Sequence, residues 1–182
     1  MIAWLPGSIT GTIERIDPGT MTIKAGGELY KADCATVVPA QKAGAIAAKA
    51  GLTDAAGWCP IKPETMQSAM DDDIRLVGDA AIASVMPKSG FAADSQAKVA
   101  ADAIRGALTG ARVSPARYAN TCWSLIAPNY DVKVGATYQP GPEKIEATHN
   151  FISQTGESAE LRKQTYAESL GWYAGIPQDI FG

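Results

Sequence analysis

Residues 74–81, with the sequence Ile-Arg-Leu-Val-Gly-Asp-Ala-Ala, constrain the fold of this 182-residue chain more than any other stretch. A short apolar run that ends in Gly-Asp predicts a buried parallel strand with the acid at its carboxyl end. Ligands of open α/β sheets bind at that end. Gly78 has no Cβ, so a ligand can come close to the backbone, and Asp79 can accept hydrogen bonds from sugar-like hydroxyls. The alternative is an ordinary buried strand that ends in a turn.

A helix of small residues is predicted directly after this strand, over about residues 92–108, and Gly110 is expected to end it. The loop before the helix contains Pro87 and Gly90. Small side chains let a helix approach a sheet or a cofactor closely. Because the N-terminus of a helix carries partial positive charge, the start of this helix would face a bound ligand.

Five short motifs occur in one order along the chain. They are Gly57-Trp58-Cys59-Pro60, Gly78-Asp79, Met86-Pro87-Lys88-Ser89-Gly90, Asn120-Thr121-Cys122 and the C-terminal Phe181-Gly182. This order resembles the flavoprotein subunit of flavocytochrome c sulfide dehydrogenase, within the wider family of FAD-dependent disulfide oxidoreductases. The resemblance covers essentially the whole chain, but only the C-terminal half of such a subunit.

The resemblance implies a set of residues that bind FAD. They are Gly78, Asp79, Ala80, Lys88, Ser89, Gly90 and Trp172. In the family the acid that corresponds to Asp79 binds the ribityl chain of FAD, and the helix after it points its N-terminus at the flavin ring. Lys88 would be a cation that faces the flavin, or alternatively a lysine in solvent. Trp172 would lie near the flavin ring, or alternatively would only pin the last helix to the body.

The resemblance also implies that Cys122 is the catalytic residue. A cysteine in this Asn-Thr-Cys setting forms a redox-active disulfide over the flavin with a cysteine from the N-terminal half of the subunit. Sulfide would attack that disulfide, and electrons would pass to FAD and then to a c-type cytochrome subunit, in the periplasm. From residue chemistry alone Cys122 would instead be buried and inert, because free cysteine is usually buried.

The predicted fold class is α+β, as a piece of an α/β parent. Residues 1–111 would be the C-terminal portion of the FAD- and NAD(P)-type domains. They would contain an antiparallel β-meander over 8–40 and the Gly-Asp FAD segment over 74–110. Residues 112–182 would form a small α+β C-terminal flavin-binding domain.

Local patterns predict the remaining elements. Val37 and Val38 would form a buried strand that Pro39 ends. Alanine- and lysine-rich composition predicts a helix over residues 41–50. In the C-terminal domain, strands are predicted over 121–126, 132–138 and 145–151, and a last helix over 157–173. In that helix the residues expected to face one core are Leu161, Tyr166, Leu170 and Tyr173.

Composition excludes several classes of function. The net charge of −3 and the pI near 5.2 argue against a nucleic-acid or anionic-membrane partner. No run of about eighteen apolar residues exists that could span a membrane. With one histidine, His149, and three widely separated cysteines, no metal site is expected. Of those cysteines, Cys34 is predicted to lie in the core and Cys59 in a loop.

No Gly-x-Gly-x-x-Gly motif occurs in the sequence, so the βαβ unit that would hold the FAD pyrophosphate is missing. We therefore expect a piece of a larger enzyme, inactive alone, that binds FAD weakly or not at all. The second redox cysteine and a leader peptide would lie upstream. Two other functions stay open: a non-catalytic partner-binding module that has lost flavin, and another FAD-dependent pyridine nucleotide–disulfide oxidoreductase.

Overall fold

The structure, a computed structural model, describes residues 3–182, and the chain divides into two compact units. The units are Met1–Gln41 and Lys42–Gly182. Helices and antiparallel sheets build both units, which confirms the predicted α+β class. The domain boundary predicted after residue 111 lies inside the second unit and stays a prediction.

The first unit is a three-stranded antiparallel meander preceded by one helical turn. Its elements are α1 (Gly7–Thr10), β1 (Ile13–Asp17), β2 (Thr22–Ala25) and β3 (Glu28–Lys31). In the first turn the Thr20 N–H donates a hydrogen bond to the Asp17 carboxylate at 3.1 Å. In the second turn Gly26 and Gly27 both have positive φ, which a two-residue hairpin loop requires. The predicted meander is therefore confirmed, but it runs over residues 13–31 rather than 8–40, and residues 7–10 are helical instead.

Two predictions about the first unit are wrong. Residues 37–39 form no strand, and Val38 is 76% exposed. Cys34 is exposed rather than buried in a core. Apolar and β-branched composition favours a strand, but a strand also needs a partner for its backbone groups. Among the described residues of this unit, pairing stops at Lys31 of β3.

The second unit begins with a short helix and a small hairpin. These elements are α2 (Ala45–Lys49), β4 (Ile61–Lys62) and β5 (Gln67–Ser68). The helix is shorter than the one predicted over residues 41–50. The chain leaves it through Gly51, whose φ of 71° suits the end of a helix.

The Gly-Asp segment is not the buried parallel strand that its sequence predicts. The structure has instead an antiparallel bridge from Gln67 to Arg75, a parallel bridge from Cys59 to Ala81, and a 3-10 turn at Gly78–Ala80. A parallel ladder needs neighbouring strands that pair over several residues, and here single residues pair. In addition, the φ of Gly78 is 75°, outside the extended region, so the backbone turns before Asp79.

The helix of small residues is confirmed as α3 (Gly90–Thr109). It starts before the predicted residue because Ser89 caps it: the Ala92 N–H donates to Oγ of Ser89 at 3.1 Å. Gly110, at φ 69°, ends the helix as predicted. The buried residues of α3 recur at steps of three or four, as Ala92, Gln96, Ala100 and Ala103.

The C-terminal part of the second unit is an antiparallel sheet that packs against two helices. Its elements are β6 (Tyr118–Ala127), β7 (Tyr130–Pro140), β8 (Ile145–Ile152) and α4 (Ala159–Phe181), with β7 in the centre of the sheet. All three predicted strands are confirmed. Helix α3 packs mainly against β6, the strand that carries Cys122, and α4 packs mainly against β7.

The buried face of α4 differs from the predicted one. The predicted Leu161, Leu170 and Tyr173 are exposed, whereas Arg162 and Thr165 are buried. Polar pairs with the sheet select this face: Lys133 of β7 donates a hydrogen bond to Glu168 of α4. A buried polar side chain with a partner is tolerated, so apolar periodicity alone did not identify the contact face.

The core of the second unit combines residues from the loops, α3 and the sheet. Its members are Met66, Ala81, Ala83, Met86, Ala92, Ala100, Tyr118, Ala136, Tyr138 and Ile145. The Tyr118 hydroxyl donates to the Pro63 carbonyl, which satisfies a buried polar group. Between residues 3 and 182, no helix combines the length and apolar character needed to cross a bilayer.

We expect Gly135→Ala to destabilise the second unit. A Cβ on Gly135 would lie 2.2 Å from the carbonyl oxygen of Asn120 and 2.5 Å from the Phe151 ring. Because the first contact is with backbone, the sheet must shift, which costs about 1–3 kcal/mol. Urea unfolding monitored by tryptophan fluorescence measures this loss of unfolding free energy.

The matched control is Gly171→Ala on α4, where a Cβ meets no atom within 4 Å. Alanine replaces glycine in a helix there, so the free energy of unfolding should rise by up to about 1 kcal/mol. Equal unfolding free energies for Gly135→Ala and the unmodified protein would contradict the expected clash.

Candidate functional site

The turn that contains Gly78 and Asp79 is held against the first turns of α3. The Gly78 N–H donates to Oε1 of Gln96 at 2.7 Å, and Gln96 is only 2% exposed. A Cβ on Gly78 would lie 3.6 Å from the Ala93 side chain, and the positive φ favours glycine. Asp79 is exposed, and among the described residues its carboxylate has no hydrogen bond or ion pair. The turn therefore presents, beside α3, a carboxylate that accepts no hydrogen bond from the described residues.

Lys88 holds the same turn from its other side. Its ammonium donates to the backbone carbonyl of Asp79 and, at 3.3 Å, to that of Ala81. The same nitrogen lies 3.9 Å from the centre of the Trp58 ring, within the range of a cation–π contact. Lys88 is thus not only solvated, because its ammonium contacts both the turn and the ring of Trp58.

The N-terminus of α3 begins beside this turn. Ser89 supplies its Oγ to the Ala92 N–H, while the N–H groups of Gly90 and Phe91 find no acceptor among the described residues. Unsatisfied N–H groups in a first turn, together with the helix dipole, favour a negatively charged or strongly polar ligand.

A chain of hydrogen bonds joins this helix start to Cys122. The Ser89 hydroxyl donates to Oδ1 of Asn120 at 2.5 Å, and Nδ2 of Asn120 donates to Sγ of Cys122 at 3.5 Å. Asn120 is 3% exposed, whereas Cys122 is half-buried. Cys122 is therefore partly exposed as a residue, and its sulfur accepts a hydrogen bond from a buried amide.

Three aromatic side chains pack together at the start of α3. Phe91 is stacked on Trp172 of α4, with ring centres 5.3 Å apart and an angle of 11° between the planes. Trp123 of β6 lies 5.7 Å from Trp172 and 5.9 Å from Phe91. The Nε1 atom of Trp123 is buried and has no hydrogen-bond partner. The cluster thus holds Trp172 at the helix N-terminus, and it contains an unused donor.

The structure brings the residues singled out in the sequence into one connected region of the second unit. Their links are the Gly78–Gln96 bond, the Lys88–Asp79 bond, the Ser89–Asn120–Cys122 chain and the approach of Trp172 to within 3.9 Å of a Cβ on Gly90. Ala80 contributes its carbonyl, which accepts from the Cys59 N–H at 3.0 Å. The functional roles of these residues stay predictions.

Sequence reasoning missed four contributors to this region: Phe91, Gln96, Asn120 and Trp123. Gln96 carried a recognisable signal, because it lies four residues after Ala92 on the buried side of an alanine-rich helix. Asn120 was part of a motif but had no assigned role. Its contact with Ser89 joins residues that are 31 positions apart, so no local pattern could indicate it.

The other two cysteines lie in different settings. Cys59 is fully buried, and this burial raises the pKa of its thiol; the Asp54 carboxylate adds to the rise, and Lys88 opposes it. Cys34 is exposed, and all three cysteines are free. A small cavity of about 240 Å³ adjoins the turn, and its lining includes Trp58, Gly78, Lys88 and Gln96.

One comparison with known proteins identifies the C-terminal part of the chain. Residues 114–181 match the family model described as "Flavocytochrome c sulphide dehydrogenase, flavin-binding". The matched residues include Asn120, Cys122, Trp123 and Trp172, but not the turn at Gly78 or the start of α3. The match confirms the predicted resemblance for this part of the chain and supports a flavoprotein that uses FAD.

We expect the three thiols to react in the order Cys34, Cys122, Cys59. Cys34 is exposed and Cys122 half-buried, whereas burial both shields Cys59 and lowers its thiolate fraction by raising its pKa. Alkylation of the native protein with iodoacetamide, followed by peptide mass spectrometry over time, should show Cys59 reacting at least about tenfold more slowly than Cys34. Rapid labelling of Cys59 without unfolding would disagree with its buried position.

Proposed function

We propose that this chain, whose residues 114–181 are a flavin-binding domain of the flavocytochrome c sulfide dehydrogenase family, is the C-terminal part of a sulfide:cytochrome c oxidoreductase flavoprotein. It supplies part of the FAD site and one redox-active cysteine. The observation that supports this most is the hydrogen-bond chain from Ser89 through Asn120 to Cys122, which joins the start of α3 to the thiol.

The side chains and backbone groups in this region fit a flavin nucleotide. Asp79 has an unused carboxylate that can accept hydrogen bonds from the hydroxyls of a ribityl chain. The free N–H groups of Gly90 and Phe91 suit the polar edge of a flavin ring, and the buried, unpartnered Nε1 of Trp123 is a further donor nearby. Trp172 offers an aromatic surface next to these donors.

Cys122 would act as one half of a redox disulfide. Hydrosulfide attacks one sulfur of that disulfide: a bond forms between the substrate sulfur and the cysteine, the cysteine–cysteine bond breaks, and its electron pair leaves on the other cysteine as a thiolate. When the disulfide forms again, zero-valent sulfur and a proton are released together with two electrons. A bound flavin supplies the acceptor for this pair and can release the electrons singly.

A c-type cytochrome is the partner that completes this scheme. Each haem iron accepts one electron, whereas the oxidation of sulfide to zero-valent sulfur releases two, so a carrier that handles both steps must lie between them. A flavoprotein with a c-type cytochrome subunit would work in the periplasm, where haem c proteins and disulfides persist. The partner cysteine of Cys122 is not assigned within this chain.

We expect Asp79→Ala to weaken FAD binding in the complete flavoprotein without loss of stability. The substitution removes a charged acceptor that has no partner within the described residues, and hydrogen bonds to charged groups contribute about 1.5–3 kcal/mol, equivalent to an affinity loss of about tenfold or more. Flavin release during dialysis measures the affinity. Asp73→Ala, at another exposed aspartate of the same loop, is the control and should leave the affinity unchanged.

We expect Cys122→Ser to abolish sulfide-dependent reduction of cytochrome c in that flavoprotein while FAD stays bound, because serine cannot form a disulfide. Cys34→Ser, at an exposed thiol, is the control and should retain full activity. Reduction of the bound flavin by sulfide in Cys122→Ser at an unchanged rate would refute the disulfide role. Reduction by a nicotinamide cofactor instead of sulfide would indicate a pyridine nucleotide–disulfide oxidoreductase.

A further inference from the structure

Asn120 is a buried amide whose two ends face different chemical groups. Its side chain lies between the N-cap of α3 and the sulfur of Cys122, and only 3% of the residue is exposed. Water therefore cannot substitute for either neighbour, and leaving this amide unpaired at such a depth is unfavourable. Both of its hydrogen bonds contribute to the stability of the site.

The hydrogen-bond donors determine which end of the amide meets the sulfur. Oγ of Ser89 already accepts from the Ala92 N–H, so its hydroxyl proton is available to donate. The only acceptor on the Asn120 side chain is Oδ1, which accepts that proton. Nδ2 then faces Cys122 and must donate to Sγ. The helix cap thus fixes a donor, rather than an acceptor, beside the thiol.

We propose that Asn120 is a positioning residue for the redox cysteine: it holds Sγ of Cys122 in place and stabilises negative charge on that sulfur. The inference rests on the proposed function. When sulfide attacks the partner sulfur of a disulfide of Cys122, a bond forms between those two sulfurs, the cysteine–cysteine bond breaks, and its electron pair stays on Sγ of Cys122. An N–H donor favours this charged form over the neutral one. Ser89 acts one step further away, because it keeps the amide in the orientation that donates.

The other polar neighbour on the sheet does not perform this role. Tyr138, on β7, is buried, and this burial, with a smaller contribution from the nearby Cys122, raises the pKa of its phenol. Its hydroxyl makes no hydrogen bond to Sγ of Cys122 within the described residues. Among the described side chains, the hydrogen bond to Sγ comes from Asn120.

A purely structural role for Asn120 predicts the opposite result from a positioning role. If the amide only filled space and satisfied Ser89, its loss would loosen β6 and expose Cys122 further, so alkylation would become faster or stay the same. If the amide stabilises the thiolate, its loss lowers the fraction of reactive sulfur, so alkylation becomes slower even though access improves. The direction of the change therefore distinguishes the two roles.

The experiment measures alkylation of Cys122 by iodoacetamide in the 182-residue protein at one fixed pH, with Cys34 in the same molecule as the reference thiol. In Asn120→Leu, which keeps a similar volume but has neither a donor nor a charge, the ratio of the Cys122 rate to the Cys34 rate should fall about three- to tenfold. Ser89→Ala should lower the same ratio less, because the amide remains but its orientation is no longer fixed.

The control is Asn150→Leu on β8, an exposed asparagine of the same sheet, which should leave the ratio unchanged. Circular dichroism checks that each variant is folded, and Ser89→Ala still tests the proposal if Asn120→Leu does not fold. An unchanged or higher ratio in the folded variants would overturn the proposal. The assay contains neither flavin nor sulfide, so a lower ratio supports the role of Asn120 even if the complete protein fails to oxidise sulfide.

Discussion

The hydroxyl of Ser89 is the interaction on which the rest of the candidate site depends. It accepts the Ala92 N–H and so starts α3, and it donates to Asn120 and so ties the helix to β6. An N-cap of this kind is typically worth about 1 kcal/mol for the helix alone. Here the same oxygen also determines where the helix begins relative to the strand, and therefore how far its free N–H groups lie from Cys122. The hydrogen bonds of one hydroxyl group therefore both cap the helix and set the arrangement of the site.

The elements that could be predicted from sequence are those with local signals. Helix α3 has a capping serine before it and a glycine after it, so it was predicted close to its observed bounds. The meander has its turn residues and was also predicted, although over a longer stretch than the strands occupy. The prediction of a parallel strand over residues 74–81 was wrong because strand pairing depends on residues far along the chain. In this segment only isolated residues pair, each with a single partner. The prediction of the buried face of α4 was wrong for a related reason. Glu168 has a hydrogen-bond partner on β7, and the sequence of the helix alone does not indicate that partner.

The candidate site divides in the same way. Asp79, Lys88 and Cys122 came from motifs that resemble a known family, and the family match reaches only the part of the chain that contains Cys122. The turn, the helix start and the cysteine meet through Gln96 and Asn120, whose side chains cross from one element to another. A motif indicates which residues belong to a site, but tertiary contacts determine which of their atoms lie next to each other. The spacing of residues in the sequence does not predict these contacts.

The way in which Lys88 holds the turn separates the fold of this region from its chemistry. Its ammonium contacts the backbone carbonyls of Asp79 and Ala81, and neither contact involves a side chain of the turn. Any residue at position 79 would present the same carbonyl to Lys88. A substitution at position 79 therefore changes the group that the turn presents outward, while the backbone contacts that hold the loop remain.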